Sequence, residues 1–292
     1  MDQQLATETK PTTVRLKVRR GVGDDLSTVR YDSFEVPRED GMVVLNAIHY
    51  VQANLDPSLV ARWNCKAGRC GSCSAEINGR PKLMCKTPVA SFEGEITVEP
   101  MKAFPLLKDL VTDVSENWKV AAMIAPFTPR LGLEKEWRFY QQDVDRSREF
   151  RRCIECFLCQ DVCHVIREHE AEYIGPRWVV KAASLDMHPM DALNRSKFMK
   201  DYGGLGYCNI TKCCQEICPE HIVITDDAII PEKERVVDSH YDPILWVYRH
   251  FPRNQAQLEV DIKMGLKVAF WGALLAPLIA LPLYFLVRSI FG

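Results

Sequence analysis

Residues 65–85 read CKAGRCGSCSAEINGRPKLMC, with cysteines at 65, 70, 73 and 85 separated by four, two and eleven residues. This is the spacing of a plant-type [2Fe–2S] loop. Gly68 and Gly71 lie inside it, and glycine suits a backbone that must wrap closely around a cluster and turn N–H groups toward its sulfurs. A zinc site more often shows two Cys-x2-Cys pairs, so the four-residue spacer counts against zinc. A second group, CIECFLCQDVC at 153–163, places Cys153, Cys156, Cys159 and Cys163 at ferredoxin spacing. In such a run three cysteines bind one cubane and the fourth serves another cluster. The short spacers bring the thiolates together without a long loop to order.

The third group, CNITKCCQEICPEHI at 208–222, holds Cys208, Cys213, Cys214 and Cys218. If it mirrors the second, a cysteine is expected at 211, where the chain has Thr211. Cys163, Cys208 and Cys214 then supply three thiolates, the number a [3Fe–4S] centre takes. Cys218 crosses back to complete the [4Fe–4S] site of Cys153, Cys156 and Cys159. Cys213 remains as a spare thiol, since adjacent side chains point in different directions. The alternative is a fourth ligand, which makes the last cluster [4Fe–4S] as well.

All 12 cysteines of the 292-residue chain fall between 65 and 218, in these three groups. Clustered spacing favours metal or cluster ligation over disulfides unless the protein is secreted. The opening residues, MDQQLATETK, show neither a secretory h-region nor an Arg-rich transit pattern, so the thiols are expected in a reducing compartment. With 37 basic and 39 acidic residues the net charge is −2, without the basic surplus of a nucleic-acid binder. A composition of 47% hydrophobic and 26% charged residues excludes disorder and a mostly membrane-embedded chain.

Around the first loop the pattern is β-rich. Residues 13–19 and 29–36 alternate at period two, 95–98 form another short strand, and Asn78-Gly79 marks a hairpin. Residues 42–55 switch to helical spacing, with Val44, Leu45, Ile48, Val51 and Leu55 able to share a face. This small mixed domain is expected to span 12–105. From Leu106, apolar residues at 106, 107, 110, 111, 114 and 118 have a helical period, and 126–132 reads as a connector. Helices punctuated by cysteine loops are expected through 106–240, with breaks at Gly175-Pro176, His188-Pro189 and 203–206.

The remaining 241–292 form a juxtamembrane segment and one helix. Residues 268–287, VAFWGALLAPLIALPLYFLV, carry no charge, and at ~1.5 Å per residue they span about 30 Å of hydrocarbon. Arg249, Arg253, Lys263 and Lys267 precede the span and only Arg288 follows it, which places the large N-terminal portion on the cytoplasmic side. No phosphate loop, Gly-x-Gly-x-x-Gly motif or serine–histidine–acid set is apparent, so no catalytic residue is assigned to this chain and substrate chemistry is expected on another subunit. His164, beside Cys163, is a quinone-proximal candidate, with a solvated or capping histidine as the alternative. His169 and His221 read as surface or helix-end residues.

On these motifs, together with FPLLKDLVTDVSENW at 104–118, the chain resembles the iron–sulfur subunit of succinate dehydrogenase and fumarate reductase over 14–237. The resemblance implies an α+β chain: an N-terminal β-grasp [2Fe–2S] domain, then an all-helical bacterial-ferredoxin-like domain, with the C-terminal transmembrane helix as an addition. It implies a flavoprotein partner that oxidises succinate at FAD, and transfer through [2Fe–2S], [4Fe–4S] and [3Fe–4S] to menaquinone or ubiquinone. The quinone lies in membrane-anchor subunits, with or without haem, at a bacterial inner membrane. The ligands carried over by motif are the eleven cysteines assigned above. Where many relatives have Pro after the fourth cysteine of the second group, this chain has His164. The Trp and His of ubiquinone-reducing members are replaced by Glu168 and Asn209. The family's quinone pocket is therefore not transferred, which leaves open a menaquinone-type site or a differently built one. Fumarate reduction shares the same ligands. The electron-transfer subunit of another flavin oxidoreductase is a weaker alternative, because Cys213-Cys214 is followed by Gln215 rather than glycine. A membrane-tethered redox sensor or zinc scaffold is the non-enzymatic one.

Overall fold

The computed structural model describes residues 13–23, 25–130, 140–169 and 172–243. The described residues up to 239 form one compact unit, and 240–243 belong to a second. Strand β1 (Thr13–Arg20) buries Val14, Leu16 and Val18 on one side, as period-two alternation requires. It pairs antiparallel with β2 (Arg30–Pro37) in unbroken register from Thr13↔Pro37 to Arg20↔Arg30. The connection onward passes through helix α1 (Val44–Asn54), strands β3 (Ser74–Ile77) and β4 (Arg80–Leu83), and strand β5 (Ile96–Glu99). β5 returns parallel to β1, giving the sheet order β2-β1-β5-β3-β4. Asn78 and Gly79 turn the β3–β4 hairpin at φ +48° and +73°, the left-handed pair this turn needs.

α1 buries Val44, Leu45, Ala47, Ile48 and Val51 in the core it shares with the sheet. Leu55 leaves that face: it caps the helix and is exposed, because the chain turns away at Asp56. A mixed sheet with one packed helix fits the expected first domain.

The expected helix from Leu106 is corrected. Residues Leu106–Lys108 and Val111–Thr112 are strands β6 and β7 of a small hairpin, and helix α2 begins only at Ser115, running to Met123. The reason is Asp109. Its backbone is left-handed at φ +50°, and its buried carboxylate accepts N–H groups of Gly21 (3.3 Å) and Val60 (2.9 Å). Those long-range partners outweigh the apolar period, which is left with Leu107 and Trp118 about half exposed. Val22 bridges to Lys108, so contacts with the first sheet continue past Pro105.

After the connector come α3 (Gln141–Arg148), α4 (Leu158–Asp161), α5 (His164–His169), α6 (Pro176–Asp186), α7 (Ser196–Asp201), α8 (Cys213–Glu216) and α9 (Ile230–His240). A π-helical turn, Ile224–Ile229, runs into α9. α6 opens with Pro176, where a missing N–H costs nothing. Arg195, itself buried, ties the connector down: it donates to Asp186 (2.6 Å), Asp191 (2.8 Å) and the carbonyls of Ala125 and Pro126. The expected membrane span at 268–287 and the basic residues before it lie outside the described residues. Among the described residues no helix is long and apolar enough to cross a membrane.

Glu232 on α9 is buried with neither carboxylate oxygen hydrogen-bonded. Burial, reinforced by Asp186, pushes it up to about 8, with Arg235, Arg195 and Arg146 pulling the other way. Its ordinary value is 4.5, so between pH 4.5 and 8 the folded chain holds a proton that the unfolded chain releases. Stability from this group therefore falls as pH rises through that window and stays low above it. Glu232→Gln is expected to remove that slope and to stabilise the protein at pH 8.5 by a few kcal/mol, with little change at pH 4.5. Apparent melting temperatures of both proteins across pH 4.5–8.5 check this; parallel curves would count against it.

Candidate iron–sulfur centres

The loop 65–73 is shaped by left-handed residues at Lys66, Gly68 and Gly71, which curl the backbone inward. Its N–H groups point at sulfur: Arg69 and Ala67 donate to Cys65 Sγ (3.2 and 3.4 Å), and Cys65 donates to Cys70 Sγ (3.4 Å). Burial pushes the Cys70 thiol up, but hydrogen bonds from the side chain and N–H of Ser72 and from Cys65 outweigh it and bring it to about 7. Cys73 is pushed up to about 12 by burial and by neighbouring Cys85 and Cys70. The four cysteines of the first group thus follow one another, Cys65 beside Cys70, Cys70 beside Cys73 and Cys73 beside Cys85, with Cys65 at the surface and Cys73 and Cys85 buried.

The second and third groups share one local conformation. Two and four residues after Cys153, Glu155 and Phe157 are left-handed at φ +55° and +59°, and Phe157 opens α4. Two and four residues after Cys208, Ile210 and Lys212 are left-handed at +62° and +63°, and Lys212 opens α8. In this repeat Cys208 matches Cys153, Cys214 matches Cys159, Cys218 matches Cys163, and Thr211 occupies the place of Cys156.

The groups also exchange members. Cys153, Cys156, Cys159 and Cys218 surround one cavity, otherwise lined mainly by apolar residues such as Ile154, Phe157 and Val180. A second is lined by Cys163, Cys208, Cys213 and Cys214, with Thr211 and His164 on its wall. Adjacent as they are, Cys213 and Cys214 reach the same cavity. Cys214 is buried against Thr225 Oγ1 (3.6 Å), whereas Cys213 is half-buried against Thr211 Oγ1 (3.4 Å).

The donor set fits iron–sulfur clusters. Among the described residues no three His, Cys, Asp or Glu side chains close on a single metal ion; the thiols instead stand around cavities. Burial pushes Cys156 and Cys214 up to about 12 and Cys159 well above its ordinary range. Buried thiols in that state need a neighbouring positive charge to ionise, which cluster iron supplies. Backbone N–H groups already face the sulfurs, including Ile222 to Cys218 Sγ (3.4 Å).

Two contacts join the first and second groups, and the spacing of the cysteines gives no sign of either. Ser74 Oγ donates at 2.8 Å to the carbonyls of both Gly71 and Cys156. Gly71 packs so tightly that a Cβ there would lie 2.5 Å from Cys156 Cα. Nearby, buried Glu76 on β3 receives Arg167 Nη2 (2.7 Å) from α5 and Lys102 (2.5 Å). A charge inside the short strand SAEI was the only sequence hint of this clamp. Beyond Cys156, the chain of thiols continues, since α4, which carries Cys159, packs against α8, which carries Cys214. His164 sits at the edge of the last cavity, where Asn209 Nδ2 donates to its Nε2 (2.9 Å). His221 is exposed and follows Cys218 at a left-handed turn; the side chain of His169 lies outside the description.

A mixed-sheet domain with a four-cysteine loop, joined to a helical domain with two cysteine-lined cavities, defines a two-domain iron–sulfur electron carrier. Residues 15–119 match the 2Fe-2S iron-sulfur cluster binding domain and residues 149–222 the 4Fe-4S dicluster domain. The chain is 30% identical over 203 residues to the fumarate reductase iron-sulfur subunit of Mycobacterium tuberculosis, covering 67% of this chain and 82% of the relative. To the corresponding subunit of Haemophilus influenzae it is 29% identical, over 65% of this chain and 80% of the relative. A chain of the Mycobacterium smegmatis Sdh1 complex in the apo form superposes with a TM-score of 0.76 at 54% identity, covering 80% of this chain and all of that one. The chain belongs to the iron–sulfur subunits of the succinate dehydrogenase and fumarate reductase family and is an electron-transfer subunit of an oxidoreductase complex.

Proposed function

We propose that this chain relays electrons from FAD in a flavoprotein subunit to a quinone in a membrane anchor, as part of a succinate:quinone oxidoreductase on the cytoplasmic side of a bacterial inner membrane. The observation that carries this reading is the contiguous line of cysteine sites, from the 65–85 group through Gly71–Cys156 to the cavity at Cys163. Cys65, Cys70, Cys73 and Cys85 hold [2Fe–2S]; Cys153, Cys156, Cys159 and Cys218 hold [4Fe–4S]; Cys163, Cys208 and Cys214 hold [3Fe–4S]. The clusters, when bound, supply one-electron redox chemistry. The protein's part is to fix their order and surroundings. Ser74 and the Glu76–Arg167 ion pair hold the two domains in register, and the apolar walls of the first cavity exclude water from the middle of the line. Thr211, a poor iron ligand in the place of Cys156, supports three thiolates at the last centre. His164, at the edge of that cavity, is the quinone-proximal candidate, and donation from Asn209 to its Nε2 leaves the ring proton on Nδ1. The alternative, quinol-driven fumarate reduction, uses the same residues, and the names of the relatives favour it as much as the superposed complex favours succinate oxidation.

The test is purification of the intact complex from membranes, with iron analysis, EPR and assays of succinate–quinone against quinol–fumarate turnover. About nine irons per chain and an oxidised three-iron signal are expected. Cys213→Ser is expected to leave that signal intact, whereas Thr211→Cys is expected to replace it by a four-iron centre. Zinc in place of iron, or loss of the signal in Cys213→Ser, would overturn the cluster assignment.

A further inference from the structure

The wall of the second cavity includes a buried phenol next to its cysteines. Tyr173 is 3% exposed, its ring is packed in the core of the helical domain, and its side chain lines the cavity beside Cys163, Cys208 and Cys214. The hydroxyl is fully buried, has no oxygen or nitrogen partner, and faces the Cys208 thiol. A buried hydroxyl left in that state costs about 1–3 kcal/mol, so a phenol kept where phenylalanine would fill the same space calls for a partner.

The backbone carrying this side chain is held in place. Ile174 N–H donates to Gly203 O (3.2 Å), and Gly204, at φ +58°, lies so close to Glu172 O and Tyr173 Cα that no side chain fits there. The segment 172–174 is thereby clamped onto the 203–204 turn, which leads directly into Cys208.

We propose that Tyr173 donates its hydroxyl hydrogen bond to the sulfurs of the centre held by Cys163, Cys208 and Cys214 and thereby raises that centre's reduction potential. The inference rests on the proposed occupancy of this cavity. A reduced centre carries one more negative charge than an oxidised one, so a fixed O–H dipole stabilises the reduced state more, in the way hydrogen bonds to sulfur tune such centres. Tyr173 acts on the potential and holds nothing in place. The neighbouring [4Fe–4S] cavity does not include it in its wall.

The experiment is an EPR redox titration of the purified complex carrying Tyr173→Phe, beside wild type. The expected result is a lower midpoint for the three-iron signal, with the [2Fe–2S] and [4Fe–4S] midpoints unmoved. An ordinary hydrogen bond is worth about a fivefold change in equilibrium, or about 40 mV on the one-electron scale of 59 mV per tenfold. A proton hyperfine coupling at this centre that disappears on exchange into deuterated buffer is expected in wild type and absent from the variant. An unshifted midpoint with the coupling retained overturns the inference while leaving the proposed function intact. Absence of a three-iron signal in wild type itself overturns both.

Discussion

Gly71→Ala is expected to abolish docking of the first cysteine loop onto the second and to strip most of the iron from the 65–85 site. Two effects combine. The residue is left-handed at φ +68°, where a Cβ costs about 1–2 kcal/mol. The larger effect is steric, since that Cβ would meet Cys156 Cα at 2.5 Å and its Cβ and N at 2.8 Å. These are backbone-anchored atoms of another cysteine loop and cannot rotate aside. One or both loops must shift, breaking the Ser74 hydrogen bonds to Gly71 O and Cys156 O. Gly79→Ala is the control: φ is +73°, but nothing lies within 4 Å of the added atom, so only the backbone cost applies. Iron content and the [2Fe–2S] spectrum of the purified complexes distinguish them. Equal iron in the two variants would falsify the docking account.

Arg20→Ala is expected to lower the stability of the first domain by about 3–5 kcal/mol, the range for removing one partner of a buried ion pair. The guanidinium, 2% exposed, meets Asp32 (3.1 Å), Asp56, Asp109 (3.0 Å) and Ser58 Oγ (2.9 Å). Asp32 and Asp56 are each about a quarter exposed and water can take over their solvation. Asp109 cannot be rescued in that way, since its side chain is 3% exposed. It keeps two backbone donors, Gly21 and Val60, but loses its only cation in this network. Because Asp109 shapes the β6–β7 turn, the hairpin loosens with it. Arg15→Ala breaks an ion pair with both partners more than half exposed and is expected to cost under about 1 kcal/mol. Denaturant melts of the two variants compare the costs directly; similar losses would sink the argument that burial decides.

The two predictions show where sequence patterns stopped being informative. The strands, the Asn78-Gly79 hairpin and α1 were legible because each depends on side chains a few positions apart. The cysteine groups were legible for the same reason: ligand spacing is a local property. The run from Leu106 has a helical period and still forms a hairpin, because Asp109 finds Gly21, Val60 and Arg20 far away along the chain. Gly71 reads as a residue that lets a loop wrap; the structure shows that it also leaves room for Cys156. Tyr173 has no motif at all, and its interest comes from the thiols that folding places around it.

By itself, then, the sequence determined which chemistry the chain is equipped for, because the number, type and spacing of thiols are written along it. It also suggested the exchange of Cys163 and Cys218 between groups. Only the tertiary structure decided what surrounds those thiols: that Cys156 presses on Gly71, that the 208–218 loop repeats the backbone of 153–163 with Thr211 in a cysteine's place, and that a buried hydroxyl faces the last cavity. The physical reason is range. Ligand spacing is set by a few consecutive residues, whereas burial, hydrogen bonding and close approach between loops are set by partners up to eighty or more positions apart.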